Sequence, residues 1–330
     1  MTGYLLRRVL YMLLLLWVLT VVSFVIIQLP RGDYVTTVAL RLASSGEDVD
    51  QQLLDNLRRR YGLDRPVHVQ YLKWFFNLVR GEFGHSFMLN KPVSDVVGER
   101  LALTVTISLC TLAFTYLMAI PIGIYSATHQ YRFSDYLFMS IGFIGLATPN
   151  FLLAIILMFF ALQLGIGVGG LFSPEYLRAG WSIGKFLDLM SHLPLPVIIV
   201  GTAGTAGLIR VMRAQLLDEL GKQYVVTARA KGVGEGRVLF KYPVRVAVNP
   251  MISTVGWLLP VIVSGETITS LVLGLPTVGP LLFSALMNED MFLAAALVLF
   301  LNFLTVVGTF ISDILLTIVD PRIRFSAQSA

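Results

Sequence analysis

Six stretches of this chain, residues 9–29, 101–128, 136–164, 193–212, 251–273 and 291–319, are long, apolar and almost free of charge. A helix needs roughly 20 apolar residues to cross about 30 Å of hydrocarbon. In lipid, only a segment that satisfies its own backbone hydrogen bonds is stable. The pattern therefore predicts an all-α integral membrane protein with six transmembrane helices. Composition agrees: of 330 residues 56% are hydrophobic and 14% charged, more apolar surface than one soluble core of this length buries.

The first stretch follows Arg7 and Arg8 and has the outline of a signal peptide. It is too long for one, and no small-residue cleavage site follows, so it is read as a span. Lys and Arg of short loops stay on the cytoplasmic side. Arg7, Arg8, Arg132, Arg322, Arg324 and the cluster Lys222, Arg229, Lys231, Arg237, Lys241 and Arg245 all fall on one side of the predicted spans. The loop over 274–290 has neither Lys nor Arg, and that over 165–192 has only Arg178 and Lys185. Both termini are expected in the cytoplasm. The expected organisation is a first span at 1–30, an external lobe at 31–100, a five-helix core at 101–320 containing a cytoplasmic loop at 213–250, and a cytoplasmic tail at 321–330. Leu53, Leu54 and Leu57, then Tyr71, Leu72, Phe75 and Phe76, recur at helical spacing inside the lobe, which would serve as a docking surface.

Several function classes are excluded. The net charge of +5 is spread over loops rather than gathered on one face, which argues for membrane topology and against nucleic acid. Cys110 is the single cysteine, so no disulfide or cysteine cluster forms within the chain. No Gly-x-x-x-x-Gly-Lys-Ser/Thr loop is present to cradle nucleotide phosphates, and the four histidines lack metal-ligand spacing. Glycines 165, 167, 169 and 170 have no strand before them and no helix start after them, so they do not form a nucleotide loop. No cofactor or metal is expected on this chain.

Two carboxylates, Glu266 and Asp313, lie within predicted spans. Each costs on the order of 2.5–3.5 kcal/mol at mid-membrane unless it faces protein or water, so both are candidates for a translocation pathway. The alternative for each is a tie between helices. Small residues from Gly201 to Gly207 in the fourth span suit close helix packing and equally suit helices that slide. The large cytoplasmic loop reads as a helix through Thr227, Ala228, Arg229, Ala230 and Lys231, broken at Gly232, with a second helix from Glu235. Such a helix-turn-helix is either a basic segment resting on anionic lipid or a knob that enters a groove of a cytosolic partner.

Tyr224-Val-Val-Thr-Ala-Arg-Ala-Lys-Gly232, followed by Arg245, Ala247 and Pro250, resembles the coupling loop of the membrane subunits of ABC importers for dipeptides and oligopeptides. The likeness continues through Tyr61-Gly-Leu-Asp-Arg-Pro66, Gly81-Glu-Phe-Gly84-His-Ser86, Gly265-Glu-Thr-Ile268, Asn288-Glu-Asp290 and Asp320-Pro-Arg-Ile-Arg324. It implies a type I ABC importer permease fold and a place in the inner membrane of a prokaryote. It also implies that Thr227, Ala228, Arg229, Ala230, Lys231 and Gly232 couple to an ATPase. The partners implied are a homologous second permease subunit, one or two ATP-binding subunits that carry ATP and Mg, a substrate-binding protein outside the membrane, and the lipid bilayer. The chain itself would be no enzyme. Relatives of such importers also carry oligosaccharides, opines or nickel, so an oligosaccharide or another small solute stays open beside peptide; a stand-alone secondary transporter explains only the spans. The chain departs from the family's usual pattern at Arg31, Tyr242, Pro243, Val246 and Thr277.

Overall fold

In the computed structural model, residues 2–28, 35, 39, 51–61, 65–86, 88–165, 169–265, 267–288 and 290–319 are described. Long helices dominate. Helix α1 (Thr2–Gln28) is followed by α2 (Gln51–Tyr61) and α3 (Val67–Val79), then by a hairpin of β1 (His85–Ser86) and β2 (Lys91–Pro92). The further elements among the described residues are helices: α4 (Val93–Thr128), α5 (Phe133–Ala147), α6 (Asn150–Gln163), α7 (Ile183–His192), α8 (Pro194–Leu220), α9 (Gln223–Ala230), α10 (Glu235–Lys241), α11 (Pro243–Ala247), α12 (Asn249–Gly265), α13 (Thr267–Val272), α14 (Val278–Met287) and α15 (Met291–Val319).

Among the described residues, four helices are long and apolar enough to cross a membrane, over Leu6–Ile26, Val93–Thr128, Pro194–Leu220 and Met291–Leu315. They correspond to the first, second, fourth and sixth predicted spans. The third differs from its prediction: α5 and α6 meet at a bend of 108°. Pro149 causes it. A proline ring disfavours helical backbone in the residue before it, and Thr148 accordingly sits at φ −90°, ψ 121° while α6 restarts after Pro149. The fifth predicted span holds α12, 17 residues long, and α13 beyond residue 266. Glu266 itself lies outside the described residues.

The chain divides into two compact units. The first comprises residues 1–10, 100–280 and 304–330. Its centre is α8, whose Ile199, Met212 and Leu216 are fully buried. The small residues of α8 serve close packing at Gly201, where an added Cβ would stand 2.7 Å from Cδ1 of Phe114. Met212, Leu216, Val244, Ala247 and Met251 share one core cluster, which joins α11 and α12 to the C-terminal half of α8.

The second unit comprises residues 11–99 and 281–303. Asp290 organises it. Its carboxylate accepts from the Ser86 hydroxyl at 2.6 Å and from the Met88 N–H at 3.0 Å, and it caps α15 by accepting from the Leu293 N–H at 3.2 Å. The hairpin, in which His85 faces Pro92 and Ser86 faces Lys91, presents Ser86 for that bond. Phe24 of α1 packs on Tyr71 and Trp74 of α3 with ring centroids 5.4 and 5.7 Å apart.

Candidate functional site

Between α8 and α12 the chain forms a small knob whose construction follows from a few residues. Helix α8 ends at Leu220, and extended backbone at Lys222 (φ −72°, ψ 147°) redirects the chain into α9. Three residues after Lys222, Val225 is fully buried, and Ala228, one turn on, is buried beside it. The helix closes in a Schellman motif: the Gly232 N–H donates to the Arg229 carbonyl at 2.9 Å, and the Val233 N–H donates to the Ala228 carbonyl at 3.3 Å. The motif needs left-handed backbone, and Gly232 supplies it at φ +76°. Helix α10 then returns Val238 onto Val225 and Ala228, with Val233 and Tyr242 completing a miniature core. Pro243 takes the first position of α11, where the missing N–H costs nothing.

Six residues singled out in the sequence thus share one small structure. Thr227, Ala228, Arg229 and Ala230 form the last turn of α9, Lys231 its C-cap and Gly232 the reversal. Thr227 returns its hydroxyl to the Gln223 carbonyl at 2.8 Å. Arg229 spans the turn to the Glu235 carboxylate with Nε at 3.0 and 3.2 Å. Outward the knob presents Val226 and Phe240, the latter 62% exposed, among exposed Arg229, Lys231, Arg237 and Lys241. The Tyr224 hydroxyl donates to Glu219; burial first, then this bond and the carboxylate's charge, push the phenol up to about 12.

The base of the knob is anchored differently. Arg213 of α8 makes a two-pronged ion pair with Asp135 of α5, Nε to Oδ1 at 2.9 Å and Nη2 to Oδ2 at 2.8 Å. Asp135 is almost wholly buried, and the Tyr131 N–H adds a third donor at 3.1 Å. On α4, the Tyr116 hydroxyl lies 2.7 Å from both the Met251 carbonyl and Thr254 Oγ1 of α12. These contacts tie α8 to α5 and α12 to α4. Sequence reasoning passed over Asp135 and Tyr116. Asp135 lies 78 residues from Arg213, and the one local signal was an acid in the first turn of a helix, which is favourable at any helix start.

Of the two carboxylates expected within spans, Asp313 does not join the knob. Its Oδ2 stands 2.9 Å from Nη1 of Arg8 on α1. Glu266 lies outside the described residues. Among the described residues no group of three His, Cys, Asp or Glu side chains is arranged to hold a metal ion.

Comparison with known proteins covers nearly the whole chain. The family described as "Binding-protein-dependent transport system inner membrane component" matches residues 119–325, and its N-terminal counterpart matches residues 1–109. The oligopeptide transport system permease protein AppB of Bacillus subtilis (strain 168) is 36% identical over 328 residues, covering 98% of this chain and 100% of that protein. The oligopeptide transport system permease protein OppB of Haemophilus influenzae is 28% identical over 327 residues, again 98% of this chain and 100% of that protein.

Proposed function

This chain belongs to the family of binding-protein-dependent transport system inner membrane components, a multi-pass membrane permease and not an enzyme, and we propose that it forms half of the pore of an ATP-driven importer of di- and oligopeptides. Peptide as cargo rests on the names of AppB and OppB; an oligosaccharide or another small solute is the alternative cargo for the same machinery. The second half of the pore is a homologous permease subunit, one or two ATP-binding subunits carry ATP and Mg, and a substrate-binding protein delivers cargo from outside. The membrane is the prokaryotic cytoplasmic membrane, with both termini in the cytoplasm.

The observation that carries this reading is the knob. Thr227, Ala228, Arg229, Ala230, Lys231 and Gly232 form the coupling element, and Phe240 and Val226 enter a groove of the ATP-binding subunit. ATPase closure pushes the knob, and α11, packed on Met212 and Leu216, passes the motion to α8. The Arg213–Asp135 pair makes α5 move with α8. Glu266 and Asp313 are proposed pathway residues; for Asp313 the contact with Arg8 equally supports a tie between α1 and α15.

Gly232→Pro tests the coupling directly. Proline has no N–H for Arg229 and fixes φ near −65°, opposite in sign to the turn. The chain should insert in the membrane, and ATP-driven uptake into vesicles should vanish; unchanged uptake would sink the assignment. Phe240→Ser, at an exposed position, guards against misfolding as the cause. It should lower co-purification of the ATP-binding subunit while the second permease subunit is still recovered, whereas full recovery of both would remove Phe240 from the interface. Recovery of the wild-type chain alone, with transport indifferent to ATP, would favour a secondary transporter.

A further inference from the structure

We propose that α3, in the stretch after the first span, is embedded in the membrane, lying within the leaflet that holds the C-terminal end of α1. The occupant of its outward face is lipid.

Depth is the first support. The apolar span of α1 ends at Ile26. The Tyr71 hydroxyl of α3 lies 2.9 Å from Thr20 Oγ1, six residues before that end, or about 9 Å inside it at 1.5 Å per residue. Phe24, also within the span, packs on both Tyr71 and Trp74. A helix in contact with α1 at that level is beside hydrocarbon, not in the water beyond it.

Composition around α3 is the second. Tyr71 and Trp74 face α1, yet the opposite face is also apolar: Leu72 is 50%, Phe76 59% and Val79 69% exposed. These three lie four and three residues apart and so form one stripe. A helix apolar on both faces suits lipid better than water. On α1 itself, Val22 and Val25 are also exposed apolar side chains. The polar side chains Gln70, Lys73 and Asn77 share one edge, and Gln70 accepts from Gln28 Nε2 at 3.1 Å, beyond the end of the apolar span. The polar edge thus rises to the headgroups while the aromatic face sinks below them, and Lys73 has a stem long enough to reach the interface.

The test uses the full-length chain with its co-purifying subunits, reconstituted in bilayers. In a Cys110→Ala background, Phe76→Cys carries a single spin label, and its collision rates with oxygen, which concentrates in lipid, and with a water-soluble nickel chelate are compared. Leu13→Cys on the exposed face of α1 is the lipid reference, and Glu82→Cys the water reference. Phe76→Cys should give the oxygen-to-nickel ratio of Leu13→Cys, and Leu72→Cys and Val79→Cys should follow it. A ratio like that of Glu82→Cys would make α3 part of a water-exposed lobe. Protection from both reagents would mean that another subunit covers the stripe. Either result overturns the proposal.

Discussion

The tip of the knob and its base are held together by different physics, although each contains an ion pair. At the base, Arg213 meets a nearly buried Asp135 in two short bonds, and Met212, Leu216 and Met251 of the neighbouring core cluster are fully buried. At the tip, Arg229 and Glu235 meet at 3.0 Å with 43% and 72% of their side chains exposed, over a core of three buried residues. A buried ion pair is costly to break because the remaining charge has no water to turn to. An exposed pair is worth little, because solvent replaces either partner. The base is therefore the stiffer of the two and the tip the more compliant, a combination that suits the coupling role proposed above.

The largest effect tests the base. Arg213→Ala strands the Asp135 carboxylate and should cost about 3 kcal/mol, read as a marked fall in melting temperature in detergent. Replacing both partners, Arg213→Met with Asp135→Leu, should recover most of it; a double variant as unstable as the single one would break the contrast. Next comes the tip. Val238→Ala removes two buried carbons and should cost about 2 kcal/mol. The loss should be local, with faster amide exchange in α9 and α10 and unchanged exchange in α8. Equal acceleration in α8 would make tip and base one unit.

Smaller still is the exposed pair: a double-mutant cycle on Arg229 and Glu235 should give a coupling of about 0.2–1 kcal/mol, screened further by salt. A coupling as large as that of Arg213 with Asp135 would remove the distinction. The smallest effect is alkaline. The Tyr224 phenol is raised to about 12 in the fold. Since the folded value lies above the unfolded value near 10, its contribution is complete below pH about 10 and lost as pH rises through about 12. Tyr224→Phe should remove that component from the stability profile, and the part of the phenolate absorbance lost on that substitution should appear only near the upper value.

Legibility followed the same divide. The reversal at Gly232 was readable because a glycine closing a helix is a matter of adjacent residues, and the Schellman bonds span only five positions. The family resemblance was readable for a related reason, since its motifs are short and occur in order. The bend between α5 and α6 was written in Pro149, yet an apolar stretch reports composition rather than direction, so 136–164 read as one straight span. The hairpin at His85 and Lys91 has two-residue strands, too short for any periodic signal. Asp290 and Ser86, 204 residues apart and 2.6 Å from each other, had no signal at all.

What the amino-acid sequence determined by itself was the solvent of this protein and the local shape of its knob. Apolar runs must lie in lipid with their hydrogen bonds closed within each helix, and a glycine after Lys231 offers the left-handed backbone that closes a helix at no steric cost. Only the tertiary structure decided which charges are paired and which stay exposed to solvent. Asp135, Asp290, Arg213 and Arg229 are ordinary ionisable residues in the sequence, and each acquires its role from how much water the fold leaves around it.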